Sequence, residues 1–156
     1  MSKYAQGIYD VQNPEKYVGN KPPFYRSSWE VAFCRFCDEN PSVKKWASEN
    51  IKIPYQNPIT GRLANYVPDF MIQYEDRNGR EHVELIEIKP SSQTTLEAAG
   101  KSQRNQAAVA VNTAKWQAAA QWCKQKGIHF RVVNEDQIFQ TNKKRNKRSR
   151  IPKRKK

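Results

Sequence analysis

Residues 68–89, PDFMIQYEDRNGREHVELIEIK, predict a β-hairpin that carries two carboxylates and a lysine. Asn78-Gly79 is the strongest turn signal in the chain, and strand-forming residues lie on both sides of it. Side chains at positions i and i+2 share one face of a strand, so Glu87 and Lys89 project to the same side of the second strand. Asp69 stands at the start of the first strand.

The length of the turn decides whether the two carboxylates meet. A two-residue turn at Asn78-Gly79 would place Asp69 opposite Ile88, on the other face from Glu87. A three-residue loop over 77–79, with its glycine in the left-handed conformation, places Asp69 directly opposite Glu87, with Cβ atoms roughly 5 Å apart. The sequence permits both loops, but a shared metal site requires the three-residue loop.

The chemistry of this hairpin points to a divalent cation. Mg²⁺ is commonly held by one or two carboxylates together with water and phosphate oxygens, which Asp69 and Glu87 can supply. A lysine beside the metal, such as Lys89, can orient or deprotonate a water or meet a phosphate oxygen, as hydrolysis of a phosphodiester requires. The alternative is a solvated strand face with a Lys-Glu pair. Asp is depleted in strands, however, and Pro68 fits a strand start, so the metal site is favoured.

A third acidic candidate lies on an earlier helix. The pattern predicts a helix over residues 28–39, capped by Ser27 or Ser28. The neighbours of Glu30 at i+3, i+4 and i+7 are apolar or cysteine, so its carboxylate lies on an apolar stripe, where it is costly unless paired or metal-bound. The alternative is a helix-terminus carboxylate favoured by the helix dipole.

Together, Glu30, Pro68-Asp69 and Glu87-Ile88-Lys89 resemble the PD-(D/E)xK nuclease superfamily, over residues 24–135. Within it the chain looks most like the transposon-end branch, and its small size and basic tail are similar to the head completion nucleases of large contractile-tailed phages. The resemblance implies an α/β fold with a mixed central β-sheet flanked by helices, a restriction-endonuclease-like core. It also implies metal-dependent hydrolysis of DNA.

The resemblance assigns roles to individual residues. Asp69 and Glu87 are expected to bind Mg²⁺, with Mn²⁺ as an alternative, and the carbonyl of Ile88 is expected to join them. Lys89 positions or activates the attacking water, and Glu30 matches the helix carboxylate of the family, counted here with both the catalytic and the metal-binding groups. The implied function is a DNA endonuclease acting in phage head completion after DNA packaging. The implied partners are DNA and phage head or portal and neck proteins, in the host cytoplasm during assembly and in the virion.

The charge of the chain is concentrated at its C-terminus. The net charge is +13, from 28 Lys and Arg against 15 Asp and Glu, and residues 141–156 hold ten of the basic residues and no acidic one. These residues are the candidates for nonspecific phosphate binding: Lys143, Lys144, Arg145, Lys147, Arg148, Arg150, Lys153, Arg154, Lys155 and Lys156. The predicted organisation is an extended N-terminal arm over 1–23, a nuclease domain over 24–140, and a basic tail that is disordered when free. A solubilising or nuclear-localisation tail is the alternative.

Weaker patterns complete the predicted fold. A short helix near 42–50, with its tryptophan inward, precedes an edge strand over 51–55. A long helix over 102–126, ended by Gly127, leads to a strand over 130–133 and a last helical turn over 134–139. A strand-helix-strand connection normally makes a parallel crossover, which predicts a mixed sheet.

The long helix carries two tryptophans and a polar face. Trp116 and Trp122 are expected in the core rather than stacked on a ligand. Lys115, Gln117 and Gln121 can reach a phosphate near the site, but a solvated helix face is the favoured interpretation for them.

Other classes are excluded or kept as alternatives. Without an apolar run of ~18 residues, no transmembrane helix and no membrane partner are expected, and without a hydrophobic leader the protein is expected to be made in a cytoplasm. Three cysteines form no disulfide framework, and Cys34 and Cys37, inside the predicted helix, are interpreted as buried thiols rather than zinc ligands. The competing functions are a noncatalytic DNA-binding virion structural protein that retains the nuclease fold and, third, an RNA-binding module that uses the tail.

Overall fold

A computed structural model of the protein describes residues 6–90, 95 and 99–134. Its strands are β1 Gly7–Ile8, β2 Phe24–Tyr25, β3 Val43–Ser48, β4 Ile53–Gln56, β5 Leu63–Tyr66, β6 Phe70–Glu75, β7 Glu81–Ile88 and β8 His129–Val133. Its helices are α1 Ser28–Glu39 and α2 Gln103–Lys126, with a short 3-10 turn at Pro14–Lys16. The main sheet has the order β3-β6-β7-β8, and β1-β2 and β4-β5 form two separate ribbons. The basic tail and the predicted helical turn over 134–139, beyond its first residue, lie outside the described residues.

The sheet is mixed, as predicted. β3, β6 and β7 are antiparallel neighbours, and β8 joins parallel to β7. The long helix α2 forms the crossover between them, with Ser102 capping its start through a 3.1 Å bond accepted from the amide of Asn105. Gly127 ends it with a left-handed φ of 73°. The α/β class with a restriction-endonuclease-like core is confirmed.

The β6-β7 hairpin has the register that a shared metal site requires. Phe70 pairs with Ile86, and the pairing continues to Glu75 opposite Glu81. The amide of Asp76 donates to the carbonyl of Arg80 at 2.9 Å, which closes a three-residue loop whose Gly79 has a φ of 78°. Continuing the register back by one residue places Asp69 opposite Glu87, so the three-residue loop is confirmed.

Successive side chains of β7 point to opposite faces of the sheet, and each face has its own hydrophobic core. Ile86 and Ile88 face α1 and belong to the core around Phe33 and Trp46. Leu85 faces α2 and belongs to the second core with Ala119 and Cys123. Because side chains two apart share a face, Glu87 and Lys89 lie on the α2 side. Trp116 and Trp122 pack against this second core, as expected.

The prediction of a helix near 42–50 is wrong, because this segment forms strand β3. It pairs antiparallel with β6 from Lys45 opposite Gln73 to Ser48 opposite Phe70, with an irregularity near its start. Trp46 is fully buried, so its inward direction was predicted correctly. The lysines and alanine here have good helix propensity, but pairing along β6 satisfies the backbone and buries the tryptophan, which outweighs local preference.

The edge strand predicted over 51–55 is found as β4, paired with β5 in a two-stranded ribbon. Strand β5 is not predicted from the sequence. Pro54 lies within β4, which fits a proline confined to a sheet edge. This ribbon packs against α2 and brings Tyr55 and Tyr66 into the second core.

The N-terminal segment is fastened to the end of α1. β1 pairs with β2, and Tyr9 packs against the α1-side core. Asp38, only 1% exposed, accepts hydrogen bonds from the hydroxyl of Tyr9 at 2.7 Å, the amide of Gln12 at 2.7 Å and the amide of Asn13 at 3.0 Å. The predicted boundary of the arm at residue 23 stays a prediction.

The cysteines are free and buried, as predicted. Burial raises the pKa of the Cys34 thiol to about 12 and that of Cys123 to about 11, so both are held as neutral thiols. In the part of the chain that the structure describes, neither helix combines the length and the hydropathy of a membrane-spanning segment.

Candidate active site

Asp69 lies at the head of β6, the strand between β3 and β7. Its carbonyl accepts from the amide of Glu49 at 2.9 Å, and its side-chain Oδ2 accepts from the amide of Ile88 at 2.8 Å. The backbone and side chain of Asp69 therefore bridge both neighbouring strands. Burial, followed by the charges of Glu87 and Glu30, raises the pKa of Asp69 well above its usual range, although the Ile88 amide and Lys89 oppose this.

Glu87 is the most enclosed of the predicted acidic groups, at 5% exposed. Its Oε1 accepts a hydrogen bond from the hydroxyl of Tyr66 at 2.7 Å, and its Oε2 lies 3.5 Å from Nζ of Lys89. Burial raises the pKa of Glu87, while Lys89, the Tyr66 bond and Lys115 favour the charged form. The carboxylate is thus held in a fixed orientation on the α2 side of the sheet.

Lys89 follows the last residue of β7 and stays tied to the sheet. Its amide donates to the carbonyl of Val133 at 3.0 Å, which continues the pairing with β8 by one residue. The side chain is partly exposed and forms its ion pair with Glu87. The predicted set of Asp69, Glu87 and Lys89 is therefore assembled at one end of the central strands.

Glu30 reaches the same end of the sheet from α1, on the opposite face. Its amide donates to Oγ of Ser27 at 3.2 Å, and its Oε1 accepts from the amide of Arg26 at 3.2 Å, which is the arrangement of a helix cap. Burial raises the pKa of Glu30; the Arg26 bond and charge oppose this, and the charges of Glu49 and Glu87 add to it. The cap is present, and Glu30 also lies within electrostatic reach of the hairpin carboxylates.

The donor chemistry fits a hard cation. Asp69 and Glu87 place carboxylate oxygens at paired positions, the kind of donor that a hard cation prefers, and Lys89 offsets their combined negative charge only in part. In the part of the chain that the structure describes, no three His, Cys, Asp or Glu side chains are close enough to share one ion. The roles of Glu30 and of the Ile88 carbonyl as further ligands therefore stay predictions.

Sequence reasoning missed Tyr66. Its hydroxyl contacts Glu87, and burial together with the charge of Glu87 raises the pKa of Tyr66 far above its usual range, so it is a hydrogen-bond donor. The only hint in the sequence was an aromatic residue three positions before Asp69. Because strand β5 is not predicted, the sequence does not indicate that Tyr66 lies against the site.

The position of Lys115 differs from the interpretation favoured by the sequence. Gln117 and Gln121 are exposed, as expected, but Lys115 is partly buried against the site. Its Nζ lies 5.8 Å from the ring centroid of Tyr55 and 5.7 Å from that of Tyr66. A signal existed, because Lys115 stands four residues before Ala119, a buried position on the core-facing stripe of α2.

A mixed sheet flanked by helices, with two facing carboxylates and an adjacent lysine, is the arrangement of the PD-(D/E)xK class of nucleases. Two comparisons with known proteins confirm the predicted resemblance. The family described as TnsA-like endonuclease N terminal matches residues 40–135, and the chain belongs to this family. The chain is also 37% identical, over 140 residues, to the head completion nuclease of Enterobacteria phage T4. That alignment covers 83% of this chain and 91% of the relative.

Proposed function

We propose that this protein is a metal-dependent DNA endonuclease that hydrolyses phosphodiester bonds in phage head completion, after DNA packaging. The observation that carries the proposal is the facing pair Asp69 and Glu87, with Lys89 at 3.5 Å from Glu87. A carboxylate as buried as Glu87, with a second carboxylate facing it, is costly unless a cation or proton balances the charge. The likeness to a phage head completion nuclease supports the biological setting.

Each site residue has a distinct role in the proposed reaction. Asp69 and Glu87, with the carbonyl of Ile88, would hold Mg²⁺, or Mn²⁺ as an alternative. When bound, such an ion polarises a phosphoryl oxygen and lowers the pKa of a bound water. Lys89 positions the attacking water and offsets the negative charge beside Glu87. Glu30 adds negative charge from the α1 side.

The substrate and setting follow from the same proposal. DNA is the substrate, and the basic tail over 141–156 would hold its phosphates through charge alone. Phage head or portal and neck proteins are the proposed protein partners, with the protein in the host cytoplasm during assembly and then in the virion.

A cleavage assay with a matched variant tests the proposal. Supercoiled and linear DNA are incubated with Mg²⁺, Mn²⁺ or EDTA, using the wild type, Glu87→Gln and the control Glu81→Gln. Glu81 is an exposed glutamate on the same strand. We expect cleavage with either metal, none in EDTA, a loss on the order of 100-fold for Glu87→Gln, and normal cleavage by the control.

Two outcomes would contradict the proposal. Full cleavage by Glu87→Gln would remove the chemistry from this site. Tight DNA binding by the wild type without cleavage under any metal would instead favour the noncatalytic virion DNA-binding protein.

A further inference from the structure

Lys115 lies on α2 opposite the carboxylate pair, and two tyrosines hold its side chain in place. Its ammonium lies 5.8 Å and 5.7 Å from the ring centroids of Tyr55 and Tyr66, which are 8% and 4% exposed. Both distances are within the range of cation–π attraction. Because one tyrosine comes from each strand of the β4-β5 ribbon, the ribbon and the helix together hold the lysine in place.

The ammonium of Lys115 lies near several charged groups of the site. The charges of Glu87 and Asp69 act on it, as does that of Lys89, but among the described residues it forms no ion pair within 4.0 Å of a carboxylate. A partly buried ammonium loses water molecules that accepted hydrogen bonds from its three N–H groups. Aromatic faces replace those acceptors only in part. The position therefore has an energetic cost that a purely structural lysine would avoid by pairing.

The arrangement brackets Glu87 between two cations. Nζ of Lys89 lies near Oε2 of Glu87. Oε1 accepts a hydrogen bond from the hydroxyl of Tyr66, and the ring of Tyr66 is also in cation–π contact with Lys115. A phosphodiester placed at the carboxylate pair has two non-bridging oxygens, and their negative charge grows in the transition state. A fixed cation aimed at that charge accelerates the reaction because it needs no reorganisation.

We propose that Lys115 is a substrate-binding and catalytic residue whose ammonium contacts a non-bridging oxygen of the scissile phosphodiester. The proposal rests on the phosphodiesterase function proposed above and adds a cation from α2 to the site. Lys115 transfers no proton; it neutralises charge on the phosphate. Tyr55 and Tyr66 are positioning residues that hold its side chain.

The competing explanation is that Lys115 only fastens the ribbon to the helix. The same helix supplies a matched control, because Lys126 has its Nζ 4.9 Å from the ring centroid of Trp122, at the exposed end of α2. Lys126→Met removes an ammonium from an aromatic ring, as Lys115→Met does, but three helical turns further along. Methionine keeps much of the apolar stem, so packing is largely preserved in both.

Single-turnover cleavage at saturating DNA and metal is the first measurement. We expect Lys115→Met to lower the rate on the order of 100-fold without lowering Tm, Lys115→Arg to keep most of the rate, and Lys126→Met to match the wild type. The metal concentration for half-maximal rate should not rise in Lys115→Met. A Lys115→Met rate equal to that of Lys126→Met would overturn the proposal.

DNA binding supplies a readout that does not depend on cleavage. Fluorescence anisotropy is measured in EDTA, where no metal is present, over a range of salt. One lost phosphate contact should reduce the slope of log K against log salt by about 1 in Lys115→Met and leave it unchanged in Lys115→Arg and Lys126→Met.

The two readouts separate this proposal from the function it rests on. If the wild type fails to cleave with any metal, the proposed function fails, while a reduced salt slope would still support phosphate contact by Lys115. If the wild type cleaves and Lys115→Met changes neither rate nor slope, only the role of Lys115 fails. If Lys115→Met does not fold, loss of rate in Lys115→Gln beside its retention in Lys115→Arg decides the same question.

Discussion

The hydroxyl of Tyr66 donates a 2.7 Å hydrogen bond to Oε1 of Glu87, and both side chains are buried. This bond joins the β4-β5 ribbon to the central hairpin, although the two share no sheet. It leaves Oε2 of Glu87 facing Lys89. The ribbon therefore contributes to the candidate active site and orients its most buried carboxylate.

Removing that hydroxyl should weaken the proposed metal site without abolishing cleavage. We expect Tyr66→Phe to weaken Mg²⁺ affinity about 10- to 100-fold, because a carboxylate ligand loses the partner that orients it. Cleavage at saturating Mg²⁺ should recover. Titration of the cleavage rate with Mg²⁺ measures this.

The control for Tyr66→Phe is Tyr74→Phe. Tyr74 donates a 2.6 Å bond to Glu84 near the other end of the hairpin, so it is the same kind of bond away from the site. The Mg²⁺ requirement of Tyr74→Phe should equal that of the wild type. Equal Mg²⁺ requirements for both variants would show that Tyr66 has only a structural role.

Asp69→Asn should stabilise the metal-free fold while removing its response to Mg²⁺. Burial and the neighbouring Glu87 and Glu30 raise the pKa of Asp69, so its ionised form destabilises the folded state near neutral pH. Because the folded pKa lies above the unfolded one, stability contributed by the protonated form is lost as pH rises, and the advantage of asparagine should grow over that range. A gain of about 1 kcal/mol would raise Tm by about 2–4 °C.

Thermal unfolding with and without Mg²⁺ measures both parts of this prediction. The comparison is Asp76→Asn, because hydrogen bonds from His82 and the amide of Arg80 lower the pKa of Asp76 and favour its charged form. Asp76→Asn should lower Tm instead and keep the Mg²⁺ response. A lower metal-free Tm for Asp69→Asn would contradict the repulsion argued here.

The hairpin register was predictable because one assumption, a shared metal, selected one of two permitted turns. The other elements show where local pattern fails. Residues 42–50 contain good helix formers, and only pairing with β6 makes them a strand. Tyr66 was missed because it reaches Glu87 from a ribbon, and no periodicity within 63–66 reveals that distant contact. Lys115 was predictable in part, since its place on the buried stripe of α2 contradicted a fully solvated face.

Asp38→Asn should loosen the N-terminal segment and remove acid sensitivity. Burial alone would raise the pKa of Asp38, but the bonds from the Gln12 amide, the Tyr9 hydroxyl and Asn13 outweigh it and lower the pKa. A depressed folded pKa contributes stability above the unfolded value of about 3.9, and this stability is lost as pH falls through the folded pKa. We expect a loss of about 2–4 kcal/mol at pH 7.

Denaturant unfolding between pH 2 and 7 tests the Asp38 network. The difference between wild type and Asp38→Asn should shrink toward low pH, because the wild-type carboxylate becomes protonated there. Glu39→Gln, at the next position and exposed, should leave the curve unchanged. A pH-independent difference would mean that the charge of Asp38 contributes nothing.

Glu30→Gln separates the two roles of that carboxylate. Glutamine can still accept the bond from the Arg26 amide, so the cap is kept while the charge near Glu87 is removed. If Glu30 completes the metal site, the Mg²⁺ requirement should rise and activity should fall, with stability maintained or increased because a buried charge is lost. Unchanged cleavage with a loss of a few tenths of a kcal/mol would leave only the helix-terminus role.

Deletion of residues 141–156 should weaken DNA binding and leave the chemistry intact, because this segment contains none of Glu30, Asp69, Glu87 and Lys89. The deletion removes ten cations. If half of them contact phosphates, the slope of log K against log salt should fall by about 4 to 5 units on duplex DNA. The apparent KM should rise at moderate salt while the single-turnover rate at saturating DNA stays nearly unchanged, since uniform binding is lost rather than transition-state binding. Equal salt slopes for full-length and truncated protein would show that the tail does not bind DNA, and would favour a role in docking to a virion protein.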